Sequence, residues 1–278
     1  MKSTRLRAAV ISALIFLVFI SIWTLATLPT TAPVTGQDAE YAALMGGGTE
    51  KSEGFPTPLT VGKAFVKFLS DPFYVKGPND KGIGIQLAYS LARVGVGFLL
   101  AMVVAVPLGF VIGRSKMMTL ALDPYIQVLK PISPLAWMPL ALYTLKDSGT
   151  SAIFVIFICS IWPMLINTAF GVASVRHEWI NVARTLEVNP LRKAFLVILP
   201  AAAPTILTGM RISMGIAWLV IVAAEMLVGG TGIGYFVWNE WNNLSLPNVI
   251  FAVVMIGLVG MGLDMIFGTL QKLLSYRE

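Results

Sequence analysis

The chain has 278 residues, 56% of them hydrophobic and only 12% charged, with a mean hydropathy of +0.79. A water-soluble domain carries roughly twice that charged fraction, so a soluble globular enzyme is excluded. The formal net charge is +6, and the single cysteine (Cys159, in an apolar run) and single histidine (His177) exclude an internal disulfide and leave little for metal chemistry.

A membrane span needs about 20 predominantly apolar residues to cross a hydrocarbon layer about 30 Å thick. The first candidate is Ala8 to Thr27, after the basic start Lys2, Arg5 and Arg7. A cleaved signal peptide shares that pattern, but the length of the apolar run favours a retained helix. The second runs from Leu87 to Ile112, interrupted by Arg93 and Pro107. A third, Leu120 to Leu145, is the least clean, because it holds Asp123, Lys130, Pro124, Pro131, Pro134 and Pro139. The remaining spans are Ala152 to Val175, Ile206 to Val228 and Val249 to Leu270.

These spans predict an all-α polytopic membrane protein with about six transmembrane helices. Its expected parts are an N-terminal transmembrane helix (1–29), an external segment with a short interfacial helix (30–85) and a core (86–278) with an inner loop at 176–204. The positive-inside rule places both termini in the cytoplasm. Arg114, Lys116, Arg176, Arg184, Arg192, Lys193, Lys272 and Arg277 then lie inside, with the N-terminal cations. Residues 30–57 read as an irregular external loop, and Val61, Ala64, Phe65, Phe68 and Leu69 recur at helical spacing beyond it. That short helix either lies on the membrane surface or packs on neighbouring spans.

No phosphate-binding loop of the form G-x-x-x-x-G-K-[ST] occurs, so the chain cannot hold ATP in that manner. The run Gly229-Gly230-Thr231-Gly232-Ile233-Gly234 sits in an outer loop between spans and reads as a turn. No nucleophile and base stand together, which argues against a membrane-embedded enzyme. The inner loop is more informative. Trp179, Ile180, Ala183 and Leu186 fall on one helical face, and Glu178, Arg184 and Glu187 decorate the rest. Asn189-Pro190 ends that helix, and a second amphipathic stretch from Arg192 leads to Leu199 and stops at Pro200. An exposed amphipathic helix needs either a groove on a partner or the membrane surface to cover its apolar face.

Asn181-x-Ala183-Arg184-Thr185-Leu186, followed by Phe195 and Leu199-Pro200-x-x-x-Pro204, resembles the EAA loop of ABC importer permeases. The likeness extends to Ser90-Leu91-x-Arg93, Gly97-Phe98, Asp123-Pro124, Pro131-x-x-Pro134-x-x-Trp137-x-Pro139, Thr208-Gly209-x-Arg211 and Ala223-Ala224-Glu225. It covers most of the chain from Pro56 onward and points to the nitrate/sulfonate/bicarbonate group. The runs SIWPMLINTAFGV, GIAWLVIVAAEML and VWNEWNNL look most like cyanobacterial-type nitrate permeases and their bicarbonate relatives. Two positions depart from the pattern: Asn181 stands where Glu is usual, and Glu187 where Gly is usual. Asn189-Pro190 is expected to supply the turn that the glycine normally permits.

The resemblance implies a type I ABC importer permease-like fold in a bacterial, cyanobacterial inner membrane, surrounded by lipid. It implies cytoplasmic ATP-binding subunits carrying ATP and Mg, an external solute-binding protein and a second permease copy, with a homodimer preferred. No cofactor is expected on this chain, and no nucleic acid. The residues expected to couple to the ATPase are Glu178, Trp179, Ile180, Ala183, Arg184, Leu186 and Glu187. The expected cargo is a small oxyanion, nitrate or nitrite first, with bicarbonate or a sulfonate as alternatives. An ATP-independent channel or secondary transporter is the reading from another class, although no inverted repeat or midplane charge relay supports it.

Charges in or near spans are functional candidates by default, here Arg93, Lys130, Arg211, Asp123, Glu225 and Asp264, with pairing among themselves or a place at the interface as the alternatives; Asp123 and Arg211 lie near inner ends, where charge is cheap. Arg93 and Glu225 are candidates for the translocation path, with a structural ion pair as the alternative. Ser133, Asn167, Thr168 and the indoles of Trp137, Trp162 and Trp218 are candidate weak donors to a passing anion, with packing or an interfacial place as the alternative for Trp162 and Trp218. The prolines of the third span leave backbone groups that protein or a wet cavity must satisfy, so that span is expected to line the path.

Overall fold

In an apolar solvent each backbone N–H and C=O must be satisfied within the chain, which makes the helix the default spanning element. The computed structural model describes residues 2–27, 55–77 and 80–274. Among them there is no sheet, only an isolated bridge between Val75 and Lys81. Residues 30–54 of the expected external loop, and Arg277, lie outside the described residues. The chain divides into two compact units, Met1–Asp71 with Glu240–Phe251, and Pro72–Asn239 with Ala252–Glu278.

In the first unit, α1 (Lys2–Ala26) is predominantly apolar after Arg7, and none of that apolar stretch is buried within the protein, as a helix meant for lipid would be. Its Trp23 indole donates to the Pro56 carbonyl at 2.9 Å. The next helix, α2 (Pro58–Ser70), starts at Thr57, whose hydroxyl accepts the Thr60 N–H at 3.3 Å. It buries Val61, Ala64 and Phe68, and the Phe65 and Phe68 rings pack on Phe251 with centroids 4.8 and 5.1 Å apart. One face of this amphipathic stretch thus packs on protein, and Leu59, Val66 and Leu69 of the same stretch are exposed.

The second unit is built on three long helices, α3 (Ile83–Arg114), α6 (Ser148–Ala173) and α9 (Leu199–Val228). They approach closely because small residues sit at the crossings, as lipid gives helices no hydrophobic reason to associate. A Cβ added at Gly109 of α3 would come within 2.7 Å of the Thr168 Cβ of α6, and one at Gly209 of α9 within 2.6 Å of the Asn167 Cβ. Across the α6–α9 seam the Ser213 hydroxyl donates to the Ser160 carbonyl at 2.7 Å. The last helix, α11 (Leu246–Leu274), lies along α9, where the Trp218 indole donates to the Ile256 carbonyl at 3.0 Å.

Pairings along these helices give their directions. Gly97 meets Ile156 and Gly109 meets Thr168, so α3 and α6 run parallel. Consecutive parallel spans require the segment between them to return across the membrane. That segment is not the single span expected over 120–145 but two helices, α4 (Lys116–Leu129) and α5 (Pro134–Leu145), joined by Lys130–Ser133. Pro131 cannot donate to the ladder, and Pro134 holds Ser133 at φ −58°, ψ 137°, outside the helical region. At about 21 and 18 Å by helical rise, neither half crosses alone. Among the described residues, five helices are therefore long and apolar enough to span (α1, α3, α6, α9 and α11), and the broken pair supplies the return.

The fifth span also begins earlier than its sequence suggested. A helical path runs from Pro190 to Val228: short α8 (Pro190–Lys193), a π turn (Ala194–Ile198), then α9. Pro200 does not stop it, because the prolyl ring stands in the first turn of α9, just after the Leu199 N–H has reached back to the Ala194 carbonyl.

The glycine crossings make a sharp stability prediction. Gly109→Leu should destabilise the solubilised protein by about 1–3 kcal/mol through overpacking. Gly95→Leu on the same helix, where an added Cβ meets nothing within 4 Å, should leave the unfolding midpoint near wild type. Equal midpoints for both variants would remove the close-approach argument.

Candidate functional site

At the inner end of α6 the chain turns into α7 (His177–Thr185), an amphipathic helix with Glu178 in its first turn and Arg184 in its last. Both charges complement the helix dipole. The four apolar residues expected on one docking face are divided between two. Ala183 is 4% exposed, and Ile180 packs on a cluster of the chain's own residues, Val172, Val175, Ile198, Ala202 and Ile206. Ile180 thus holds α7 to the ends of α6 and α9, and Ala183 is buried on the inward side of α7. Trp179, Val182 and Leu186 face outward, 42%, 61% and 70% exposed. The Arg176 guanidinium lies over the Trp179 ring, 5.7 Å from its centroid. Leu191, Phe195 and Leu196 on α8 and the π turn are exposed as well. Glu178, Arg184 and Glu187 are also exposed. Val182 was missed because a spacing count over nine residues fits two overlapping stripes equally well.

The turn after α7 falls at Glu187 itself, not at Asn189-Pro190. Glu187 adopts φ +51°, the left-handed conformation that ordinarily selects glycine, and the Val188 N–H closes on the Ala183 carbonyl at 3.1 Å. Asn189 has the separate task of starting α8, its side-chain oxygen accepting the Leu191 N–H at 3.1 Å. The glycine of the family pattern is thus replaced in residue but not in conformation.

At the outer end of α9 stands Glu225, 2% exposed. Its carboxylate accepts from the Arg93 Nη1 at 2.7 Å, from the Ser90 hydroxyl at 2.7 Å and from the Gly234 N–H at 3.1 Å. The Ile233 N–H donates to the Ser90 oxygen at 2.9 Å, and the Gly232 N–H to the Gln86 side-chain oxygen at 2.6 Å. Arg93 also donates to the Thr231 carbonyl at 2.7 Å, and the Lys81 ammonium to the Thr231 hydroxyl at 3.0 Å. These contacts hold the glycine run and the start of α10 (Ile233–Asn242) against α3. A carboxylate at a helix N-terminus with two neutral donors and an arginine is stable even when buried. A side chain at Gly232 would occupy the place of the carboxylate. Arg93 and Glu225 therefore form a structural ion pair, the alternative to a path role. At the outer end of α5, Asp147 caps α6, and hydrogen bonds from Thr150 hold its carboxyl below the usual range.

The other path candidates are scattered. Ser133 is exposed at the N-cap of α5 and makes no capping hydrogen bond. Trp137 on α5 and Trp162 on α6 are half-buried. The Asn167 amide donates to the Pro163 carbonyl at 2.8 Å, and the buried Trp218 indole is engaged by Ile256. The structure shows no hydrogen bond between any two of these among the described residues. It does join two charges that the sequence left apart: Arg211 of α9 and Asp264 of α11 form a two-point ion pair at 2.6 and 2.5 Å.

Residues 105–277 match the family described as "Binding-protein-dependent transport system inner membrane component". The nitrate import permease protein NrtB of Synechocystis sp. is 46% identical over 228 residues, 82% of this chain and 83% of that protein. The bicarbonate transport system permease protein CmpB of the same organism is 43% identical, over 73% of both chains. Among solved structures, an inward-facing MetNI methionine ABC transporter matches with a TM-score of 0.61 at 13% identity, covering 68% of this chain and 94% of that one. An amino acid ABC transporter matches with a TM-score of 0.54 at 16% identity, covering 80% and 97%. At such identities the likeness concerns the fold alone.

Two substitutions test the site. Glu225→Ala leaves Arg93 without its buried partner and should cost about 3–5 kcal/mol, read as a lowered unfolding midpoint in detergent; an unchanged midpoint would mean the pair holds nothing. Glu187→Gly relieves a left-handed residue and should raise that midpoint, by about 1 kcal/mol; a fall would show that the Glu187 side chain contributes contacts of its own.

Proposed function

The chain belongs to the family of binding-protein-dependent transport system inner membrane components, and from that membership we propose that it is the membrane-spanning subunit of an ATP-driven importer for a small oxyanion. Nitrate and nitrite come first, since permeases named for nitrate import are 42–46% identical to it. Bicarbonate is second, on the likeness to permeases named for bicarbonate transport.

The observation that carries the reading is the outward apolar patch on α7. Trp179, Val182 and Leu186 are large, exposed and ringed by Glu178, Arg184 and Arg176. In this proposal they seat in a groove of a cytoplasmic ATP-binding subunit, which carries ATP and Mg. Ile180 then transmits force inward, because it ties α7 to the cluster joining α6 and α9. A closing ATPase shifts the pore between two states only if it holds α7 differently in each. The π turn lies in that line of force, directly between the docking helix and the span that carries Arg211 and Glu225. The external solute-binding protein, a second copy of this chain and a bacterial inner membrane complete the proposal.

The test is reconstitution of the whole complex in liposomes with its ATP-binding subunits and binding protein. ATP-dependent uptake of nitrate is the expected outcome, with the Trp179→Ala, Leu186→Asp double variant losing uptake while the chain keeps its own unfolding midpoint. Nitrate flux through the purified chain alone, without ATP, would replace the importer reading with a channel or secondary transporter.

A further inference from the structure

Arg211 and Asp264 both lie on spanning helices, Arg211 about 25 Å from the outer end of α9 and Asp264 about 27 Å from that of α11 by helical rise. Unlike Arg93 and Glu225 they are open, with side chains 40% and 53% exposed. In a hydrocarbon layer about 30 Å thick these depths are close to the inner edge, where charge is cheap, so what marks this pair is its openness and the cleft beside it. Beside them is a cleft of about 420 Å³ between α9 and α11, floored by Gly215, Gly257 and Gly260 and walled by Trp218. Glycines keep that space free, and the Trp218 indole, bonded to the Ile256 carbonyl, is fixed as a rigid wall.

The pairing geometry leaves binding capacity over. Nε and Nη2 of Arg211 go to the two oxygens of Asp264, and Nη1 makes no hydrogen bond among the described residues. A guanidinium has five N–H donors in a plane suited to a trigonal or carboxylate-like oxyanion. The Asp264 charge offsets most of the attraction, as transit requires: an anion must be favoured enough to enter and weakly enough held to leave.

We propose that Arg211 is a transient oxyanion site in the translocation path, with Asp264 as the positioning residue that aims the guanidinium and moderates its hold. This rests on the oxyanion-importer reading and names the site within it.

The experiment uses the complete reconstituted complex and nitrate. Asp264→Asn should lower KM and also lower kcat by about tenfold or more, the scale of one hydrogen bond to a charged group, because the anion stays bound. Arg211→Lys, which keeps the charge but loses the fork, should lower kcat/KM with no change in unfolding midpoint. In the reversed pair Arg211→Asp, Asp264→Arg, the ion pair can re-form but the guanidinium moves to α11, and uptake should remain lost. Restored uptake in the reversed pair, or a lowered midpoint in Asp264→Asn without a split of KM from kcat, would make the pair a tie between helices and overturn the proposal. Unaltered kinetics in all three variants would also overturn it, leaving the oxyanion reading intact. A wild-type complex that hydrolyses ATP to import a different class of solute would remove both.

Discussion

Backbone hydrogen bonds that water cannot rescue are the constraint from which this structure follows. Every span is a helix because no other element closes its own ladder in hydrocarbon, and departures from helix occur where another device satisfies the freed groups. Pro131 and Pro134 open the chain between α4 and α5, and the return crossing is made in two pieces. Before Pro200 the ladder widens into a π turn, so the helix that begins at Pro190 continues to Val228. The same constraint acts on the glycine run, where the N–H groups of Gly232, Ile233 and Gly234 end on the side chains of Gln86, Ser90 and Glu225.

Packing between spans follows from the same solvent. Lipid chains are as apolar as leucine, so association rests on close contact and on hydrogen bonds across the seam. Gly109 and Gly209 admit neighbouring helices within distances a side chain would forbid, and Ser213 bonds the Ser160 carbonyl between them. This gives a trio to which α7 is attached by Ile180.

The spans, the amphipathic inner loop and its family pattern were legible because they are local, written in hydropathy and spacing over a single segment. What was not legible depends on residues far apart in the chain. Ser90 and Gln86 look unremarkable in an apolar run, and nothing local says that a carboxylate 135 residues later will meet the first of them. The inward face of α7 was misassigned for a similar reason: Ala183 and Ile180 are apolar either way, and only the cluster from α6 and α9 shows which side is already covered. Glu187 misled in the opposite sense. Its identity argued against a turn, yet the closure of Val188 on Ala183 imposes the left-handed conformation regardless of residue type.

The two charge pairs show how one chemistry serves two ends. Glu225 is closed in by Arg93, Ser90 and Gly234, so it has no free direction in which to meet an ion and serves as a fastening for the outer loop. Arg211 and Asp264 carry the same charges but sit open on a cleft, with one guanidinium nitrogen unengaged among the described residues. Burial removes the possibility of exchange, whereas exposure near the inner edge of a span leaves it open. It is therefore exposure and unfilled hydrogen-bonding capacity, rather than charge as such, that separate a residue able to handle a moving ion from one that holds helices together.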